Sequence, residues 1–205
     1  MSLPVPVVHL VDDDPSFLKA IARLLQASGF DVRTFAAAAA LLAQISTETK
    51  GCVIADLRMP DMSGLELQDA LARSCPGLPV IFLTGRGDIP STVRAMRLGA
   101  EDFLEKRAPK DQLVAAVNRA LARDARARAL QVQRQAARSA FDVLTERERQ
   151  VLSHVVRGRM NKQIAADLAI HERTVKLHRT AITTKLNIRS AVELARLAQA
   201  AGLGD

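Results

Sequence analysis

Val7-Val-His-Leu-Val-Asp-Asp-Asp-Pro15 is an apolar run that ends in three consecutive carboxylates. Such a run, cut off by turn-forming aspartates, reads as a buried strand meeting a loop. From Pro15 to Ser28, residues Phe17, Ile21, Leu24 and Leu25 recur at helical spacing, and Gly29 closes the pattern. The alternation then repeats down the chain. Strands are expected at Asp31–Phe35, Cys52–Ala55, Pro79–Leu83 and Asp102–Leu104. Helices are expected at Ala36–Ile45, Gly64–Arg73 and Ser91–Leu98, the last stopped by Gly99, and another starts near Pro109. Five strands alternating with five helices predict an α/β fold: a five-stranded, doubly wound parallel sheet with helices on both faces. In such sheets the working groups gather at the carboxyl ends of the strands.

The chain has 205 residues, more than one small domain needs, and two domains are expected. Charge divides along it. Residues 1–121 carry 13 basic and 14 acidic groups, residues 122–140 five arginines and one aspartate, and residues 141–205 11 basic and 7 acidic groups. A neutral front half with a basic back half suits a regulatory module joined to one that meets a polyanion. No apolar run approaches the ~18 residues that span a bilayer, and Met1–Pro6 has no secretory pattern, so a cytoplasmic protein with no membrane partner is expected. Cys52 and Cys75 lie far apart with no metal-ligand spacing, and Cys52 falls within an apolar strand, where it reads as core. Six Phe with no Trp or Tyr argue against a stacking platform for single-stranded nucleic acid.

From Asp111 the helical pattern runs on through an Arg/Ala/Gln segment to about Arg138, while its apolar seam (Leu113, Val117, Leu121, Leu130) thins. Beyond it the pattern is all helical. Thr145 and Glu148 form a capping box before Val151, Leu152, Val155 and Val156, and Gly158 ends that helix. Asn161 is expected to cap a short helix with Ile164, Ala165 and Leu168. The turn Ala169-Ile170-His171 leads into a helix from Arg173 to Leu186, and Ser190 with Glu193 makes another capping box that opens a last one. Two helices joined by a short turn, the second bearing Lys176, His178, Arg179 and Lys185, have the layout of a helix-turn-helix. The expected domains are therefore 1–121, a helical basic linker 122–140, and 141–205.

Asp12, Asp13 and Asp14 follow the first strand, Asp56 ends the third, Thr84 ends the fourth and Lys106 follows the fifth. On one rim of the sheet these groups converge. Crowded carboxylates repel, and a hard cation bound by oxygen relieves them, for which Mg²⁺ fits. Beside such a cation and a lysine, an aspartate acts as nucleophile toward phosphorus, with Thr84 and Lys106 on the equatorial oxygens. Taken singly, each residue also has an ordinary structural reading: Asp14 before Pro15 as a helix cap, Thr84 before Gly85 as turn chemistry, Phe103 as core.

Val11-Asp-Asp-Asp-Pro15, Asp56-Leu-Arg-Met-Pro-Asp-Met-Ser-Gly64, Thr84-Gly85 and Phe103-Leu-Glu-Lys106, in that order, resemble the receiver domain of two-component response regulators, a flavodoxin-like fold. The resemblance implies that Asp56 is the phosphoacceptor and that Asp12, Asp13 and Asp56 hold Mg²⁺ with the backbone carbonyl of Arg58. Phe103 would be the aromatic whose rotation follows Thr84. One departure stands out: the family lysine is usually followed by proline in a cis peptide, and here Lys106 is followed by Arg107. A cis bond before a non-proline residue costs ~3 kcal/mol, so either a trans bond or strain is expected.

Leu144-Thr-Glu-Arg-Glu-Arg-Gln-Val-Leu152, Asn161-Lys-Gln-Ile-Ala165, Thr174-Val-Lys-Leu-His-Arg179 and Lys185-Leu186 resemble the LuxR-type helix-turn-helix. The pair of domains is similar to NarL/FixJ response regulators. Asp56-Leu-Arg-Met-Pro60 and Thr84-Gly-Arg-Gly-Asp88 lean to the FixJ side. This resemblance implies a transcription regulator, not an enzyme, phosphorylated by a sensor histidine kinase and binding double-stranded promoter DNA as a homodimer, with RNA polymerase a further partner. Lys176, Leu177 and Thr180 would reach base edges. Lys162, Arg179, Lys185 and the amides at the Asn161 helix start would meet phosphates. The dimer face would use Val93, with Arg97 paired to Glu101 or Asp102 of the other copy. The competing expectations are a receiver that works without phosphate, an aspartyl-nucleophile phosphohydrolase, and a regulator gated by an organic ligand. The chain lacks the DxDxT element of such hydrolases and the aromatic pocket such a ligand needs.

Overall fold

The computed structural model describes residues 6–85 and 89–203. Thus the expectations drawn from the amino terminus and from Arg86–Asp88 lie outside the described residues. The chain forms two compact units, residues 1–127 and 128–205.

The first unit alternates β1 (Val7–Val11), α1 (Pro15–Ala27), β2 (Asp31–Phe35), α2 (Ala38–Leu42), β3 (Gly51–Asp56), α3 (Gly64–Ser74), β4 (Val80–Thr84), α4 (Ile89–Arg97) and β5 (Asp102–Glu105) into α5 (Lys110–Ala140). The strands form one parallel sheet in the order β2-β1-β3-β4-β5. Its two faces each bury a core. Val8, Leu10, Ile54 and Ile81 pack with α1 and with Leu113 and Val117 of α5. Val11, Val53, Ala55 and Phe82 pack with Leu41 of α2 and with Leu67 and Leu71 of α3. Strands covered on both sides are apolar throughout, as β3 and β4 are. His9 is also buried, and desolvation pushes its imidazole below the ordinary range, which keeps it neutral beside Phe35. Cys52 is core as expected, its thiol pushed up to about 12 by burial and by the charges of Asp124 and Glu101.

Most boundaries fall within two residues of the sequence expectation. The strands β3 and β4 each reach one residue further at the rim, because Asp56 pairs with Leu83 and Thr84 with Glu105 in the ladder. Helix α2 is the exception: Ala36–Ile45 shrinks to Ala38–Leu42. Only Ala38 and Leu41 of it are buried, so the flanking alanines have no packing to offset the cost of ordering.

The helix α5 is continuous through the Arg/Ala segment. Asp124 still belongs to the first unit, where its carboxylate accepts from Gly51 N–H at 3.1 Å, whereas Ala137 is buried in the core of the second. A 3₁₀ turn at Phe141–Val143, unmarked in the sequence pattern, leads to α6 (Glu146–Val156), α7 (Asn161–Asp167), α8 (Glu172–Lys185) and α9 (Ala191–Ala201). Val151, Ile164, Val175, Ile182 and Leu194 fill their common core.

The Thr145–Glu148 capping box forms as expected. Two other caps differ. Met160 takes the N-cap position of α7, because the Asn161 carbonyl oxygen of its side chain is already bonded to Arg179, at 3.0 Å. At α9 the Ser190 hydroxyl accepts from Glu193 N–H, but Glu193 reaches back to Arg189 N–H rather than to Ser190.

Gly64 sets how closely α3 approaches the end of β3. A Cβ there would stand 2.3 Å from the Asp56 carbonyl oxygen and 2.9 Å from the Phe82 ring. We expect Gly64→Ala to lower stability by ~1–3 kcal/mol in urea unfolding, since neither backbone nor ring has room to yield.

Candidate functional site

The parallel register carries four strand ends to one rim. Asp12 follows β1, Asp56 ends β3, Thr84 ends β4 and Lys106 follows β5, and all but Lys106 are buried. Local bonds aim them. Asp14, the N-cap of α1, accepts from the amides of Ser16 and Phe17, while its own amide donates to Asp12 Oδ1 at 3.0 Å. The loop reading of Asp14 as a cap holds. Leu57 N–H donates to Asp56 Oδ1 at 2.8 Å, and Gly64 N–H to Leu57 O at 3.0 Å, which ties the turn after β3 to the start of α3. The α3 start is secured by a capping box between Ser63 and Glu66, whose carboxyl is held below its usual range by the Ser63 hydroxyl and amide.

Lys106 enters this pocket from the β5 side. Its amide donates to Thr84 O at 2.8 Å, and its ammonium lies 2.6 Å from Asp12 Oδ2 and 3.2 Å from Asp56 Oδ2. No cis peptide occurs among the described residues, so Lys106–Arg107 is trans, and the lysine still reaches both carboxylates. It also stands 4.4 Å above the Phe17 ring, a cation–π contact that sequence spacing did not reveal.

Carboxylate oxygens of Asp12, Asp13 and Asp56 lie within 4.8 Å of one another. Burial pushes the Asp12 carboxyl above the usual range and the charge of Asp56 adds to this, against the Lys106 ammonium and the Asp14 amide. For Lys106, burial opposes the charge, but the two carboxylates together win and raise it. Three carboxylates against one ammonium leave two negative charges to balance. That balance and an all-oxygen donor set fit a divalent hard cation such as Mg²⁺.

Phe103 is half-buried against Phe82, with ring centres 6.1 Å apart. Val93 and Arg97 are exposed on α4. Glu101 and Asp102, expected to face Arg97 of another copy, are engaged within the chain by Arg123, at 2.9 Å, and by Arg119. A cross-subunit pair with Arg97 has to share or displace those guanidinium groups.

In the second unit α8 presents Arg173, Lys176, Leu177 and Thr180 on one exposed face, at spacings of three and four. Leu177 is 64% exposed, an apolar side chain that α8 leaves unpacked. Arg173 belongs to this face and was missed; its place three residues before Lys176 was the signal available. The turn from α7 holds Ala169 in the left-handed region, at φ 52°, and Arg147 donates to Leu168 O at 2.8 Å.

Two of the expected phosphate contacts are tied to the protein itself. Arg179 bonds Asn161, and the Lys185 ammonium lies 2.7 Å from Glu148 Oε2, a carboxylate buried in the helical core. Lys185, Thr145 N–H and the Thr145 hydroxyl hold Glu148 below the ordinary carboxylate range. Lys162 by contrast is exposed.

Residues 8–118 match the response regulator receiver domain, and residues 142–198 match the luxR family of bacterial regulatory proteins. The chain is 42% identical over 197 residues to the transcriptional regulatory protein FixJ of Rhizobium meliloti, covering 96% of this chain and 97% of that one. It is 38% identical over 193 residues to the response regulator protein TmoT of Ectopseudomonas mendocina, covering 94% and 88%. Among solved structures, the response regulator StyR superposes with a TM-score of 0.79 at 43% identity, covering 96% of this chain and 99% of that one. Full-length FixJ from B. japonicum gives a TM-score of 0.57 at 36% identity, covering 97% and 98%.

Because Lys185 balances a buried carboxylate, Lys185→Met is expected to lower the stability of the second unit at neutral pH by ~1–3 kcal/mol. The pair's contribution is present above about pH 4.5, the ordinary Glu value, and is lost as pH falls through the lowered native one. Chemical unfolding of wild type between about pH 6 and 3 should therefore show the steeper loss, and Lys185→Met the shallower.

Proposed function

The chain belongs to the two-component response regulators of the NarL/FixJ type, a receiver joined to a LuxR-type DNA-binding domain, and is closer to FixJ; from that premise we propose that phosphorylation of Asp56 is its switch. It is a transcriptional regulator of a two-component system. The observation that carries the proposal is the Asp56 carboxylate at the end of β3, 3.2 Å from the Lys106 ammonium and grouped with Asp12 and Asp13.

Each residue has a defined part. The Leu57 amide fixes one oxygen of Asp56 and so orients the carboxylate toward the incoming phosphorus. Asp12, Asp13, Asp56 and the Arg58 carbonyl would hold Mg²⁺, which would offset the charge of the phosphoryl group. Lys106 moves from balancing Asp12 and Asp56 to balancing the phosphoryl oxygens. The Thr84 side chain binds a further oxygen, and Phe103 turns to follow it. A sensor histidine kinase supplies the phosphoryl group. The phosphate-independent reading needs a pocket in which Lys106 fails to reach Asp56. The trans Lys106–Arg107 bond leaves the ammonium in reach, which favours phosphorylation.

The phosphorylated receiver dimerises through α4 and β5, with Val93 supplying apolar contact and Arg97 reaching Glu101 or Asp102 of the other copy. Dimerisation sets two α8 helices against promoter DNA. Lys176, Leu177 and Thr180, with Arg173, read base edges, and the exposed Lys162 binds phosphates. The protein acts in the cytoplasm, and RNA polymerase is the partner that its position at a promoter brings near.

An acyl-phosphate donor with Mg²⁺ should label wild type and leave Asp56→Asn unlabelled, as read by intact mass. Asp13→Ala should lose Mg²⁺ binding and slow labelling. Label retained on Asp56→Asn refutes the assignment.

For the DNA interface, Lys162→Ala should weaken operator and random DNA alike and reduce the salt slope by about one unit. Leu177→Ala or Thr180→Ala should instead cost ~1–3 kcal/mol on operator only, and Lys185→Met should leave the slope unchanged. Titrations on both DNAs at several salt concentrations separate these outcomes.

A further inference from the structure

Among its described residues, helix α4 is lightly packed from Thr92 to Arg97. Of its described side chains only Ala95 is buried, while Val93, Met96 and Arg97 are exposed. Its C-terminal end is nevertheless firmly tied. Ala100 N–H donates to Ala95 O and Gly99 N–H to Met96 O, both at 3.0 Å, with Gly99 at φ 85°, a Schellman turn.

A side chain from α3 completes the tie. Gln68 Nε2 donates to Ala95 O at 3.4 Å and to Leu98 O at 3.2 Å, so it serves carbonyls of the turn where a helix runs out of its own donors. Those two acceptors also fix which end of the amide is nitrogen, since an oxygen there would face both of them. The arrangement has a cost. Gln68 is 4% exposed, its Oε1 has no partner among the described residues, and the residue lines a cavity of about 140 Å³ together with Leu71, Leu78 and Leu98. A methionine or leucine would fill this place without an unpaired oxygen. The amide is therefore explained by its two donors and not by its volume.

The base of the tie is rigid. Gln68 sits one turn along α3 from Gly64, whose backbone is pressed against the Asp56 carbonyl, and its neighbours Leu67 and Leu71 are buried in the sheet core. The other end of α4 begins five residues after Thr84, on the side where the switch acts. A helix held at its C-terminal end, whose described side chains apart from Ala95 and Thr92 are exposed, responds to a displacement at the other end by swinging.

We propose that Gln68 is the pivot of α4: it keeps the C-terminal end in place while the displacement starting at Thr84 moves the N-terminal end, turning the Val93–Met96 face. Gln68 is thus a positioning residue for the output surface, remote from the phosphoryl chemistry. This rests on the reading of Asp56 as phosphoacceptor.

The test is amide hydrogen exchange on the full chain with Mg²⁺, with and without beryllofluoride as phosphoryl mimic. In wild type the mimic should slow exchange at residues 56–59 and change it about fivefold or more at residues 92–95, while the amides of Leu98, Gly99 and Ala100 change less than about twofold. In Gln68→Met, which keeps the volume and loses both donors, the mimic effect should spread to Leu98–Ala100, with acyl-phosphate labelling of Asp56 at the wild-type rate. A variant whose mimic effect stays confined to residues 92–95 overturns the pivot. So does a wild type whose Leu98–Ala100 amides respond as strongly as residues 92–95, a result that needs no folded variant. Absence of any response at residues 56–59 instead overturns the phosphoacceptor reading, and the pivot with it.

Discussion

Asp12 and Asp56 are carboxylates buried side by side at the end of a parallel sheet, and the Lys106 ammonium between them makes that burial tolerable. Like charges that close repel, and desolvation raises the cost of keeping either ionised. Much of the surrounding structure serves this balance. The strand register sets the separation of the charges, the Asp14 and Leu57 amides occupy one oxygen of each carboxylate, and the Thr84 carbonyl accepts from the Lys106 backbone to position the lysine. With Asp13 beside them, three carboxylates face one ammonium, a balance and an all-oxygen donor set that fit a divalent hard cation.

The helical unit manages charge in the opposite way. There Glu148 and Lys185 neutralise each other at the core edge, Arg147 satisfies the end of α7, and Arg179 is bonded to Asn161. With these charges committed to holding the helices together, the outward face of α8 is left with Arg173, Lys176, Leu177 and Thr180. Leu177 stays 64% exposed among these polar and cationic side chains, an apolar group that the helical core does not cover.

Much of this was legible in the order of residues. The alternation of strand and helix, the rim positions of Asp12, Asp13, Asp56, Thr84 and Lys106, and the capping box at Thr145 all follow from short-range patterns whose physical meaning is local. Where local preference lacked packing to support it, the reading failed: the alanine-rich stretch 36–45 favours helix, yet only the Ala38–Leu42 turn has a core to rest on. Asn161 is a good cap by type, but a guanidinium eighteen residues away in sequence had already taken its oxygen.

Sequence alone established the two-domain architecture, the parallel sheet and the set of groups that meet at its rim, because hydrophobic period and motif spacing are properties of consecutive residues. It could not say which charges end up bonded to which. That Lys185 neutralises Glu148, that Glu101 and Asp102 are claimed by Arg123 and Arg119, and that Gln68 reaches the last turn of α4 depend on polar atoms from elements remote in the chain coming within hydrogen-bond distance. Hydrogen bonds and ion pairs are short-ranged and directional, so a lysine on a helix face reads the same whether it will meet a phosphate or a buried carboxylate. Packing of the folded chain makes that choice.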